Sequence, residues 1–173
     1  MSSIEDLKAQ LIKRSGPAHQ NRFKLVATLP PAVRSISNGE DLSILCENCI
    51  LPGRQINTFD YQLLRQSIKV PNGYINEDVS FTFLLTNDYY VKKIFDLWAS
   101  STINFSNYRA KYLENYAGTF EIWQLDKNDK QIYGVRLTNA FPISLTAITL
   151  DNNAENTLQK FTVTVAYEDF ATI

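Results

Sequence analysis

Val79-Ser80-Phe81-Thr82-Phe83-Leu84-Leu85-Thr86-Asn87-Asp88, continued by Tyr89-Tyr90-Val91-Lys92-Lys93-Ile94-Phe95-Asp96-Leu97-Trp98, contains a change of hydrophobic period that decides the fold class. In the first half Val79, Phe81, Phe83 and Leu85 alternate with Ser80, Thr82 and Thr86, with Leu84 as the one exception. A period of two places those apolar residues on one face of a strand and leaves the other face wet. In the second half Val91, Ile94, Phe95 and Trp98 recur at i, i+3, i+4 and i+7, the apolar stripe of a helix. Asn87 stands in position to cap that helix, with Asp88 in its first turn, which predicts a helix over about 87–100. The strand face and the helix stripe need a common core. The rings of Phe95 and Trp98 supply much of the apolar area, worth about 25 cal/mol per Å² removed from water.

Strand patterns recur on both sides of this segment. Phe23–Thr28 reads as a strand, and so does Leu42–Cys46 after Pro30-Pro31 and the Ser37-Asn38-Gly39 loop. Between Leu51-Pro52-Gly53 and Pro71-Asn72-Gly73, Ile56, Phe59, Tyr61, Leu63, Leu64, Ile68 and Val70 predict a hairpin with one apolar face, more apolar than a solvated loop requires. Phe120–Leu125 and Gln131–Leu137 flank the polar run Asp126–Lys130 as a second hairpin. Phe141-Pro142-Ile143-Ser144 reads as a strand start that proline confines to an edge or bend. The closing strand sets Phe161, Val163, Val165 and Tyr167 on one face. Near the N-terminus Ile4, Leu7, Leu11 and Ile12 predict a short amphipathic helix ended by Gly16-Pro17, with little core of its own. The expected fold is mainly β: an antiparallel sandwich or barrel-like domain over 21–173 with one packed helix and a long hairpin, preceded by a helical arm over 1–20.

Composition narrows the function. The 173 residues are 45% hydrophobic and 20% charged, a globular balance. Seventeen basic against 18 acidic residues give none of the basic excess that phosphate neutralisation requires of a nucleic-acid coat. No apolar run approaches the roughly 18 residues that span a bilayer. Met1-Ser2-Ser3-Ile4-Glu5-Asp6 lacks the order of a secretory signal, so assembly in a reducing cytoplasm with both cysteines as thiols is expected.

The residues of reaction chemistry are sparse. Cys46-Glu47-Asn48-Cys49 has redox or zinc spacing, but two thiols and His19 fall short of four ligands, and residues three apart on a strand face opposite ways unless the chain turns there. His19, the single histidine, sits in a polar linker without a nucleophile pattern. Glu77-Asp78 and Glu168-Asp169 read as solvated charges that discourage edge pairing, and the six glycines fall singly, without a phosphate-loop spacing. No catalytic, metal or cofactor site and no small-molecule substrate is therefore expected. Tyr108, Tyr112 and Tyr116 leave open a monomeric sandwich module that binds carbohydrate or peptide through 104–116.

The order of these pieces resembles the tail-tube family of contractile-tailed bacteriophages, which includes the tube subunit and the tube-initiating proteins of the baseplate. The resemblance runs from Asn21-Arg22-Phe23, through Cys46 to Leu51-Pro52-Gly53, the Val79–Leu85 strand with its Trp98 helix, the Phe120–Leu137 hairpin and Pro142-Ile143-Ser144, to Phe161–Tyr167. It implies a virion structural subunit whose sheets join side by side in a six-membered ring, and rings that stack into a hollow tube passing DNA without sequence-specific binding. The partners implied are copies of itself, adjoining tube or baseplate hub proteins, and sheath. On this resemblance the hairpin reaches an adjoining ring through Ile56, Phe59, Tyr61 and Leu63. The arm through Gln20 departs from the ordinary tube subunit, and in a junction or initiator subunit it would grip the baseplate hub or an adjacent ring through Ile4, Leu7 and Leu11.

Overall fold

A computed structural model describes residues 3–14, 16–37, 39–153 and 157–173. Asn38 of the expected loop, and Met1, Ser2 and Ser15 of the arm, lie outside the described residues. In chain order the elements begin with α1 (Ile4–Lys13), β1 (Phe23–Thr28), α2 (Glu40–Leu45), β2 (Cys46–Cys49), β3 (Arg54–Leu63), β4 (Gln66–Asn76), β5 (Val79–Leu84) and α3 (Tyr90–Thr102). They continue with β6 (Ile103–Asn104), β7 (Arg109–Ala110), α4 (Leu113–Tyr116), β8 (Gly118–Leu125), β9 (Gln131–Leu145), β10 (Lys160–Ala166) and β11 (Asp169–Thr172). No described helix is long and apolar enough to cross a membrane.

The chain is mainly β, with antiparallel pairing throughout the main sheet. Its strands follow the order β1-β8-β9-β10-β5-β2, with β11 also paired to β9, and β3–β4 and β6–β7 form separate ribbons. β9 belongs to both halves: up to Ala140 it pairs with β8 and β11, and from Phe141 it pairs with β10. The strand turns this corner at Asn139, whose φ of 51° is unusual for a residue with a side chain. The stretch expected to start a new strand at Phe141-Pro142 is therefore the second half of β9. Val165 pairs with Pro142 and Thr164 with Ser144, so Ile143 is the extra residue of a bulge, a place where a sheet tolerates proline.

The alternation read from the sequence sets the core. Val79, Phe81, Phe83, Phe161, Val163 and Val165 face inward from β5 and β10, and Leu25, Phe120, Ile122, Val135 and Leu137 from β1, β8 and β9. Val91, Ile94, Phe95 and Trp98 of α3 are fully buried against them. Phe95, Trp98 and Phe120 stack in sequence at 5.8 and 5.7 Å between ring centroids, and Phe81 continues the row 5.0 Å from Phe120. The buried Trp98 indole donates to the Tyr116 carbonyl at 2.7 Å. Gly118 permits this approach, since a Cβ there would lie 2.8 Å from the indole.

Two local expectations are corrected. Leu42–Leu45, expected as strand, is the body of α2. A strand would put Leu42 and Ile44 on one face, whereas Leu42 is buried, Leu45 packs beside it at helical spacing, and Ile44 is 83% exposed. Glu40 and Asp41 favour the helix start electrostatically, and Gly39, at φ 84°, leads into it so close to β1 that a Cβ would meet the Ala27 carbonyl oxygen. α3 begins three residues after the expected Asn87 cap, because Asp88 is engaged in a turn. Its carboxylate accepts from the Thr86 hydroxyl and from the Tyr90 N–H, leaving Tyr89 as the N-cap in a left-handed conformation.

Candidate functional site

The β3–β4 hairpin is the feature the core does not use. Along its length Asn57, Val70 and Asn76 are half-buried and every other residue is exposed, with Leu64 at the tip 100% exposed. Ten residues of β3 extend roughly 30 Å at strand rise. The Pro71-Asn72-Gly73 stretch, expected to end the hairpin, lies inside it: Asn57 pairs with Gly73 and Thr58 with Pro71, so Asn72 is a bulge and the strand continues to Asn76.

That bulge divides the apolar surface. Phe59, Tyr61 and Leu63 alternate on one face of β3, with Val70 and Ile68 opposite Phe59 and Tyr61. Ile56 is an odd number of residues from Phe59 and so stands on the other face, paired with Tyr74. The single apolar face expected from the sequence is thus two patches, one towards the tip and one at the base, pointing to opposite sides of the ribbon.

An isolated two-stranded ribbon is marginal in water, and this one is held at its base. Arg54 Nη2 donates to Asp169 Oδ1 at 2.5 Å and Nε to Asn76 Oδ1 at 3.1 Å. The guanidinium lies over the rings of Tyr74 and Phe170, 4.6 and 4.4 Å from their centroids. Asn76 Nδ2 donates to the Glu168 carbonyl at 3.3 Å, and the Tyr167 hydroxyl donates to the Glu77 carbonyl at 2.7 Å. Burial, with Asp78 adding to it, raises the Tyr167 phenol above its ordinary value, so this donor keeps its proton. Sequence reading missed the clamp because Arg54 and Asp169 are 115 residues apart, and Asp169 reads locally as one more edge charge.

The end of the arm is tied to β8, where Gln124 Nε2 donates to the His19 carbonyl at 2.7 Å, but its helix is as uncovered as the hairpin. α1 is closed at its start by reciprocal Ser3 and Asp6 hydrogen bonds, yet none of its residues is buried, and Ile4, Leu7 and Leu11 face solvent. The structure does not bring these three together with Ile56, Phe59, Tyr61 or Leu63. In the connection between β6 and β8, Tyr108 and Tyr112 stand exposed, while Tyr116 packs edge-on against Phe141 at 5.3 Å.

β1 lies at one end of the strand order. Leu125 N–H donates to the Arg22 carbonyl at 2.9 Å, and this phase of the ladder directs the N–H and C=O groups of Phe23, Leu25 and Ala27 away from β8. A cleft of about 540 Å³ opens beside β1, lined also by Arg34, Gly39, Glu40 and Ile44.

Cys46 and Cys49 were expected on opposite faces of a strand. A bulge between Cys46 and Asn48 pairs Cys46 with Phe83 and Cys49 with Phe81, so both thiols turn towards the core. Burial pushes them up to about 12 and about 11 respectively, which makes them poor nucleophiles and poor ligands. Among the described residues no three His, Cys, Asp or Glu side chains cluster to hold a metal.

Solved structures share this fold at low sequence identity. A chain of the anti-feeding prophage (AFP) baseplate, 6-fold symmetrised, has a TM-score of 0.68 at 14% identity, covering 91% of this chain and 95% of that one. A chain of the sheath-tube complex of the PVC extracellular contractile injection system, in its extended state, has 0.66 at 15% identity, covering 100% and 99%. A chain of the AFP tube-terminating cap has 0.66 at 12% identity, covering 91% of each. No curated protein matches the sequence. The model of the phage tail tube protein family matches residues 18–173, the whole β domain and its approach, and this chain therefore belongs to that family.

Proposed function

We propose that this tail-tube-family protein is a ring-forming subunit, hexameric in the assembled particle, of a contractile tail tube or of the junction between tube and baseplate. The observation that carries the proposal is the hairpin: a ribbon clamped at its base by Arg54, with two apolar patches that the chain's own core leaves uncovered. The outward-directed backbone groups of Phe23 and Leu25 in β1 support sheet joining between neighbours within a ring, those of Ala27 being covered by Gly39 of the same chain. The hairpin then reaches an adjoining ring through Ile56, Phe59, Tyr61 and Leu63. The arm of residues 1–20, through Ile4, Leu7 and Leu11, grips a neighbouring tube, hub or sheath protein, while 21–173 forms the ring body. Assembly takes place in the host cytoplasm and the product resides in the virion tail. DNA passes through the bore without being held, in keeping with a formal net charge of −1.

Negative-stain images and native mass measurements over a concentration series test this reading. Six-membered rings or stacked tubes are the expected result. A monomer persisting at high concentration, alone and with baseplate components, would count against it.

A further inference from the structure

The β8–β9 turn and the end of the arm enclose a second cleft of about 540 Å³. Its cations are Arg14, Lys127 and Lys130, with His19 alongside and Asp126 as the one carboxylate on the lining. Asp126 Oδ1 accepts the Lys127 backbone N–H at 2.6 Å, and Asp129, the other acid of the turn, is paired with Arg22 at 2.8 Å. Arg14, Lys127 and Lys130 form no ion pair with a described residue.

The opposite sign collects further along β9. Glu77, Asp78, Glu168 and Asp169 are exposed around the hairpin base, with Arg54 as the cation that pairs there. Asp169 lies across from Thr138, seven residues beyond Gln131, the first residue of β9 after the cationic turn. Strand rise separates the two regions by about 24 Å. One chain therefore carries two non-overlapping surfaces of complementary charge, the arrangement a head-to-tail contact between identical copies uses.

We infer that the cleft of Arg14, Lys127 and Lys130 is the seat for the Glu77–Asp78 corner of a second copy. The inference rests on the reading of this chain as a self-assembling subunit and deepens it. Apolar patches on a ribbon attract without direction, whereas a charged corner at its base fixes which face of the neighbour it meets and in what register. A second copy fits better than nucleic acid, since the cleft carries its own carboxylate and the whole chain lacks a basic excess.

A charge-swap pair tests this directly. One variant carries Lys127→Glu and Lys130→Glu, the other Glu77→Lys and Asp78→Lys; all four positions are exposed. Each alone is expected to raise the concentration for half-assembly, read by sedimentation velocity, more than about tenfold, because like charges then face each other. An equimolar mixture restores every contact as attractive if the two variants alternate, and its assembly should return to within about threefold of the unmodified protein. Two swapped variants that assemble like the unmodified protein, or a mixture that stays dispersed, would overturn the inference. So would binding of a short DNA duplex that Lys127→Glu/Lys130→Glu abolishes while assembly is unchanged. Ile68→Asp, placed in the tip patch, separates the two ideas. If it blocks assembly while the charge variants do not, this contact falls and the assembly reading stands; if the unmodified protein never associates, both fall.

Discussion

Arg54 holds the hairpin through one guanidinium that meets Asp169, Asn76, Tyr74 and Phe170 together. The pair is partly exposed, so Arg54→Ala is expected to cost no more than about 1 kcal/mol of global stability. Its larger effect should be local: amide exchange across 54–76 should quicken, and assembly should weaken because the ribbon no longer keeps its angle. Trp98 is the contrasting case, fully buried between Phe95 and Phe120. Trp98→Ala is expected to lower the unfolding free energy by about 3–5 kcal/mol in urea titrations, through lost burial and the cavity left behind.

The two thiols give a pH prediction with a definite sign. In the unfolded chain they ionise near 9.0, and in the folded protein near about 12 and about 11. Below pH 9 both states hold the protons and stability is unaffected. Above it the unfolded chain releases protons that the folded one retains, so stability falls as pH rises until the folded values are reached. Urea midpoints between pH 8 and pH 10.5 should show this slope, reduced in Cys46→Ala.

Among the elements, β5 and α3 were legible because each has a clean period and one apolar side. α2 was not, because four apolar residues in five satisfy a strand and a helix equally until burial separates Leu42 from Ile44. The hairpin was legible as an apolar hairpin but not as two patches: on β3 the odd spacing of Ile56 and Phe59 separates them, but on β4 Tyr74 parts from Val70 and Ile68 only because Asn72 leaves the ladder. Replacing 58–71 by a two-residue turn removes the tip patch and keeps the clamp. Thermal unfolding of the body should then be nearly unchanged, while rings or tubes are lost from negative-stain fields. Deleting 3–14 removes no buried residue, so it should change the unfolding free energy by less than about 0.5 kcal/mol. Its cost should appear only in association.

At the scale of the molecule, one cluster joins both halves of the sheet and α3, which makes unfolding a single event. Far-UV circular dichroism and the fluorescence of Trp98 and Trp123 should give coincident midpoints; a fluorescence change that precedes loss of strand signal would show separable halves. The sequence by itself determined the β class, the strands β1 and β8, the inward residues of β5 and β10, the α3 stripe, and a hairpin too apolar for a loop. These follow from periods of two and 3.6, which any short window of residues reveals. Only the tertiary structure decided that β9 serves both sheet halves, that Arg54 meets Asp169, that both cysteines face inward, and that cationic and acidic surfaces lie along one strand. Each depends on a bulge, a corner or a partner distant in the chain, and residues brought together from such separations leave no periodic trace in the sequence.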